Sequence, residues 1–435
     1  MTFMEKCLNE SSGYKQETQK KINQCRTGEF CLKVKSNNSN IKNIKLSYKL
    51  KRHDFDFGCN IFMLNQYDSQ EETDRYLELW KGLFNTAVVP LYWEGTEPEK
   101  GKLRYTCDSD NNIYRRPPAQ TVVNYCKQNG ITPKGHPLFW HEFIPRWLPT
   151  EWNELLPLIE RRFAEISELF GADIPVFDLL NEPSRIWDMT FEHKNDGYFM
   201  VAPPKGYIEQ ICALGAKYFP NNKLIINDAV SASFVDFRGV YGGYYQLLER
   251  LIRQNERFDK IGLQCHTSNS ENYKNVFCAD RLADVLKTYG SLGKEVVISE
   301  ISIVSSDSEE LQAQAAELLY RVAFAEPSVS GVFWWNLDDN GILTVKNRDV
   351  MGENLPSAGL VRNGVEKQSY KTLKNLIKNE WNTSGDVKTE TGKTITFNGF
   401  YGIYEVEISA ENFTKTFEVD LSKHSEKSKV ITLDY

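Results

Sequence analysis

The residues with the clearest chemical potential are two carboxylates, each following an apolar, strand-like run. The run 174–180 ends in Asn181-Glu182-Pro183, and the run 295–299 ends in Glu300. A carboxyl placed where a buried strand emerges faces a cleft, provided that other strands emerge beside it. Two carboxylates across such a cleft can cleave a glycosidic bond: one protonates the leaving oxygen while the other attacks or stabilises the anomeric carbon. A magnesium site or a salt bridge is the plainer explanation in a chain with 59 acidic residues. The neighbouring groups weigh against it. Asn181 can donate to a sugar hydroxyl, Gln264 and His266 can hold a nucleophile in position, and Trp334 or Trp335 supplies an apolar floor.

Positioning these groups requires strands that end side by side. From Phe55 onward strand-like and helix-like segments alternate, with strands expected at 55–61, 86–91, 132–138, 174–180, 223–227, 260–265, 295–299 and 330–335. Helical patterns fill the intervals at 71–84, 117–129, 151–170, 205–219, 239–255, 278–289, 308–325 and 365–378, several of them opening on proline or stopping at glycine. Eight strands alternating with eight helices predict an α/β fold, a (β/α)8 TIM barrel. The competing doubly wound sheet lacks a GxGxxG after its first strand. In a barrel, chemistry sits at the C-terminal ends of the strands. There the sequence offers His136 and Trp140 after strand three, Asn181 and Glu182 after four, Asn227 and Asp228 after five, Gln264 and His266 after six, Glu300 after seven, and Trp334 with Trp335 after eight. The long loops after strands two, four and eight are expected to form the cleft walls.

The flanks differ in character. Residues 1–27 are a polar, lysine-rich lead-in, 28–53 read as a β-hairpin about an Asn-rich turn, 54–380 hold the barrel, and 381–435 alternate as short strands. The last segment is too small to be comfortable alone, so a small all-β accessory domain shared with the N-terminal hairpin is expected.

Composition narrows the partners. A net charge of -7 and a pI near 5.6 argue against nucleic acid and anionic membrane surfaces. Twenty-one Tyr, 24 Phe and nine Trp suit contact with sugar rings, although most serve the core. Nine cysteines without regular spacing, no CxxC and no HExxH predict neither a full disulfide framework nor a metal site, and no cofactor is expected. No run approaches the roughly 18 apolar residues that span a bilayer. A monomer acting on an oligo- or polysaccharide is expected, either cytoplasmic or, if a signal peptide has been removed, periplasmic or secreted.

The strand motifs together resemble a known family. Phe57-Gly58-Cys59, the stretch from Gly135-His136 to Trp140-His141, Asp178-Leu179-Leu180-Asn181-Glu182-Pro183, Ile226-Asn227-Asp228, Gln264-Cys265-His266, Ser299-Glu300 and Phe333-Trp334-Trp335 occur in the order of the strand motifs of glycoside hydrolase family 10, the retaining xylanases. The resemblance runs from about Asp54 to Lys378. It implies Glu182 as general acid/base and Glu300 as nucleophile. It further implies Asn181 on the 2-hydroxyl of the attacked sugar, Gln264 and His266 steadying Glu300, His136 and Trp140 lining the glycone pocket, and Trp334 beneath the reacting sugar. Asp228, Trp335, His141 and Trp93 stay open between site and packing roles.

Two departures qualify the resemblance. Val88-Val89-Pro90-Leu91-Tyr92-Trp93 lacks the Glu-Asn pair and the Lys with which the family's second strand grips sugar hydroxyls, and no second tryptophan follows strand eight. The resemblance implies a retaining β-glycoside hydrolase, most simply an endo-β-1,4-xylanase, and the altered second-strand loop motivates the alternatives. The same retaining chemistry on another β-glycan or in an exo mode, and a binding protein without turnover, are the alternatives.

Overall fold

The computed structural model describes residues 2–37, 42–109, 113, 115–185, 203–304, 308–339, 357–410 and 413–433. Eight parallel strands, Asp56–Asn60, Thr86–Pro90, Thr132–His136, Val176–Asn181, Lys223–Asp228, Lys260–Thr267, Glu295–Ile303 and Val329–Trp334, form the barrel. They are called barrel strands one to eight below. Each pairs with the next, and strand eight returns to strand one through Val332↔Phe57 and Trp334↔Cys59, which closes the ring. All eight expected strands are present. The loop segments 186–202 and 340–356, which carry most of the expected cleft walls after strands four and eight, lie outside the described residues.

The strands are near-continuous apolar runs because both of their faces are covered. Outward side chains pack against helices such as Gln70–Leu83, held at its start by a reciprocal Ser69–Glu72 cap, and Trp152–Phe170, which buries Leu155, Ile159, Phe163 and Ile166. Inward side chains form a separate cluster of Val88, Ile225, Val297 and Phe333, topped by Phe62, Tyr92, Trp140 and Trp335. Two glycines make room in this interior. A Cβ on Gly58 would lie 2.1 Å from the Phe333 ring, and one on Gly262 would lie 2.4 Å from Asn227 Oδ1.

The ends of the chain meet. Strand Thr27–Ser36 lies between Thr394–Phe400 and Ser428–Leu433, whereas strand Asn43–His53 lies between Ser384–Glu390 and Gly402–Ala410, with Phe413–Leu421 at the edge. The hairpin expected at 28–53 is thus corrected: its two strands belong to different sheets and take their partners from the C-terminal segment. The sheets face each other through Tyr48 stacked on Phe397 at 3.9 Å and Phe30 against Tyr404. The all-β unit docks on the starts of the barrel strands, the end opposite the mouth. There Phe400, Phe324, Phe55 and His53 meet, and Arg26 donates to the carbonyls of Phe324, Glu326 and Val329. The lead-in forms two helices, Phe3–Glu10 and Tyr14–Cys25, tied to helix Glu309–Ala325 by the Lys15–Glu317 pair. Among the described residues no helix is long and apolar enough to cross a membrane.

Candidate active site

Strands four and seven lie three apart in the ring, so Glu182 and Glu300 face each other across the mouth. Each residue is 5 % exposed. The chain reaches Glu182 through a left-handed backbone (φ 53°), a conformation costing a non-glycine residue about 1 kcal/mol or more, and its N–H donates to the Asn227 carbonyl at 2.7 Å. That turn aims the carboxyl inward instead of along the strand.

The carboxylates are joined by a chain of amides. Gln264 Nε2 donates to Glu182 Oε1 at 2.9 Å and lies 3.4 Å from Asn181 Oδ1. Asn227 Nδ2 donates to the same Asn181 oxygen at 2.7 Å and to Glu300 Oε1 at 2.8 Å. His266 completes the grip on Glu300, its Nε2 lying 3.0 Å from Oε2 and its Nδ1 3.0 Å from Ser302 Oγ. An imidazole held between a hydroxyl and a carboxylate has its ring orientation set. Ser299 bonds Asn227 Oδ1, so the bridging amide is fixed with its N–H groups toward the two site oxygens.

The two acids have different surroundings. Burial pushes Glu182 above the usual carboxylate range; Arg185, 3.3 Å from Oε2, and the Gln264 donor pull it back, and the charge of Glu300 adds to the rise. Glu300 is held at both oxygens, by the Asn227 amide at Oε1 and by the His266 ring at Oε2. Behind them, Asp228 is fully buried and pushed up to about 7 by that burial, although Ser184 and the Ala229 N–H donate to it. A protonatable acid beside an anion is the pattern that separates acid and nucleophile roles.

His136 stands on the far side of the pocket, its Nδ1 2.6 Å from Asp178 Oδ2, which also pairs with Lys134. Burial alone would raise Asp178, but Lys134 and His136 hold it below the ordinary value. Trp335 lies against both histidines, with ring centroids 5.3 Å from His136 and 6.1 Å from His266. Trp140 joins the same wall at the pocket rim. Trp334 does not: it faces outward, packs in the outer core and donates to the Ala358 carbonyl at 3.1 Å. The expectation of Trp334 under the sugar is corrected, because successive strand residues point to opposite faces and Trp335 shares the inward face with Phe333.

Trp93 is also a packing residue, bonded to Glu97 and covered by Arg162. His141 is buried and held down to about 3 by burial and by Arg185. His141, Glu142 and Glu182 present ligand atoms within 4.8 Å of one another. The Arg185 cation at Glu182 opposes a metal ion there. Sequence reasoning gave Asn227 no role although it noted its strand-end position, and it missed Phe62, Phe143 and the pair Arg115-Arg116. The arginines come from the loop after strand two, where no periodicity announces a destination.

Comparisons with known proteins bear on the family and the fold. The description "Glycosyl hydrolase family 10" matches residues 63–352. Anti-sigma-I factor RsgI6 of Acetivibrio thermocellus is 26% identical over 90% of this chain and 46% of its own length. Endo-1,4-beta-xylanase 1 of Arabidopsis thaliana is 24% identical over 88% of this chain and 36% of its own. This chain thus spans less than half the length of those two proteins. Endo-1,4-beta-xylanase B of Thermotoga neapolitana is 24% identical, with 63% of this chain and 76% of that one covered. Among solved structures, xylanase 10B from Thermotoga petrophila RKU-1 in complex with xylobiose superposes with a TM-score of 0.58 at 20% identity, covering 84% of this chain and 97% of that one. With the family description spanning most of the barrel and the strand-end residues in their expected order, the chain belongs to glycosyl hydrolase family 10.

Proposed function

We propose that the chain hydrolyses β-1,4-xylosidic bonds with retention of configuration, Glu182 acting as acid/base and Glu300 as nucleophile. The observation that carries this reading is the amide-linked carboxylate pair, one member raised by burial and the other gripped by Asn227 and His266. In the first step Glu300 attacks the anomeric carbon, the glycosidic C–O bond breaks, and the Glu182 proton passes to the leaving oxygen. Ester formation removes the Glu300 charge, so Glu182 becomes more acidic and can accept a proton from water in the second step. Water then attacks the same carbon and frees Glu300. In this reading Asn181, oriented by Asn227, bonds the sugar hydroxyl beside the reacting carbon, with His136, Trp140 and Trp335 around the ring. Xylan or xylo-oligosaccharide as substrate rests on the relatives named endo-1,4-beta-xylanases. The proposed unit boundaries place catalysis in 54–380, with the all-β unit as its support.

The test uses an activated aryl β-xyloside. Glu300→Ala is expected to lose activity on the order of 10⁵-fold, and added azide should give the α-glycosyl azide by direct attack. Glu182→Ala should keep the first step and give the β-azide from the covalent intermediate. An unchanged rate in Glu300→Ala removes the nucleophile assignment. A panel of xylan, xylo-oligosaccharides and other β-glycans then decides the substrate.

A further inference from the structure

The two carboxylates divide the barrel mouth. On one side stand strands five and six with their amides and His266; on the other stand strands eight, one, two and three. The second arc is lined by rings in unbroken contact. Trp335 meets Phe62 at 5.7 Å, Phe62 meets Tyr92 at 5.9 Å, Tyr92 meets Phe143 at 5.4 Å, and Phe143 meets Trp140 at 5.1 Å. A platform for successive sugars must show ring faces to solvent. Here Phe62, Tyr92 and Trp335 are 0–2 % exposed, with Trp140 at 9 %.

Over the Tyr92, Phe62 and Phe143 part of this arc lies Arg116. Its guanidinium carbon lies 4.0 Å from the Tyr92 ring centroid, 5.1 Å from Phe62 and 5.8 Å from Phe143, the stacking place a second sugar would need. The cap is anchored. Arg116 Nη1 donates to the Arg115 carbonyl at 2.8 Å, and buried Arg115 donates to Asn336 Oδ1 at 2.7 Å and to Gln66 Oε1 at 3.2 Å. The loop after strand two is thereby fastened to the loops after strands eight and one.

Inside the cap the arc asks for one ring. The indole N–H groups of Trp140 and Trp335 are buried and have no hydrogen-bond partner among the described residues. An unmet buried donor costs about 1–3 kcal/mol, which a sugar oxygen would relieve. Trp335 adjoins His266, which holds the nucleophile. The ring in this arc is therefore the one whose anomeric carbon meets Glu300.

We propose that Arg116, stacked on Tyr92 and Phe62, is the specificity-determining residue that ends the glycone path after one sugar, so that the enzyme removes single rings from the non-reducing end of short β-1,4-xylo-oligosaccharides. This rests on the hydrolase reading above.

The test follows the first products from reducing-end-labelled xylohexaose. The wild-type enzyme should give labelled xylopentaose first. Arg116→Ala should raise the ratio of internal to terminal cuts about 10-fold or more. That ratio does not depend on the fraction of enzyme folded, and Arg116→Gln, which keeps bulk without the cation, should lie between. Wild-type enzyme that makes mainly internal cuts, or an Arg116→Ala ratio equal to wild type, overturns the proposal. The hydrolase reading is judged separately, by whether aryl β-xyloside is turned over by wild type and not by Glu300→Ala.

Discussion

The two arcs of the barrel mouth are built on opposite principles. The arc of strands five to seven is a polar network: Gln264 and Asn227 meet at Asn181 and reach Glu182 and Glu300, while Ser299 holds Asn227 and Ser302 and Glu300 hold His266. The arc of strands eight to three is lined by rings, capped by a cation, and leaves two indole donors without a partner among the described residues. The first arrangement fixes charge and proton position before substrate arrives, which is what catalysis by preorganisation requires. The second leaves buried donors open to a bound molecule, which is why the proposal above assigns it the choice of sugar. Under that proposal chemistry and selectivity are separated in space, and one can change without the other.

The comparison can be broken most strongly behind the polar arc. Asp228 titrates near 7 in the folded chain against 3.8 as its ordinary value, so the folded state holds the extra proton. Its stabilising effect is full below about pH 4 and is lost as pH rises through about 7. Asp228→Asn should remove that loss, on the order of 4 kcal/mol, offset by about 1 kcal/mol for the weakened Ser184 bond. Denaturant midpoints at pH 5 and pH 8 check it, and equal slopes for the two proteins would refute it. Next, Asn227→Ala removes the donor shared by Asn181 and Glu300, and kcat should fall about 10²–10³-fold, near 3 kcal/mol. Steady-state kinetics decide; a loss confined to KM would place Asn227 in binding alone.

A smaller effect concerns the acid. Arg185 holds Glu182 down, so Arg185→Met should move the alkaline limb of kcat/KM to higher pH. A limb that stays or moves lower refutes the role. The smallest contrast separates adjacent tryptophans. Trp335→Phe keeps the ring but loses the indole donor, and KM should rise about 5–10-fold. Trp334→Phe should leave kcat/KM alone and cost about 1 kcal/mol of stability through its Ala358 bond.

Those tryptophans also show where the sequence was legible. The barrel strands could be read because parallel strands covered on both faces are apolar runs stopped by polar residues, and Glu182 and Glu300 sit at such stops. Which of Trp334 and Trp335 turns inward depends on the phase of the strand, and an all-apolar run hides its phase. The flanking strands failed for a related reason. Alternation in 28–53 says which face is buried, not which strand lies alongside, and the true partners are more than three hundred residues away. Arg116 was illegible because a loop carries no period at all; only the folded chain brings it onto Tyr92.

That long-distance pairing has a consequence for the order in which the molecule can be made. Strands Thr27–Ser36 and Asn43–His53 are synthesised before the barrel, yet every strand beside them begins at or after Ser384. At 5–20 residues per second they wait roughly 20–60 seconds with open edges while the entire barrel is synthesised. The exposed lysines along them, Lys35, Lys45, Lys49 and Lys51, place charge on edges that would otherwise recruit other nascent chains. Only strands made after the whole barrel end this exposure.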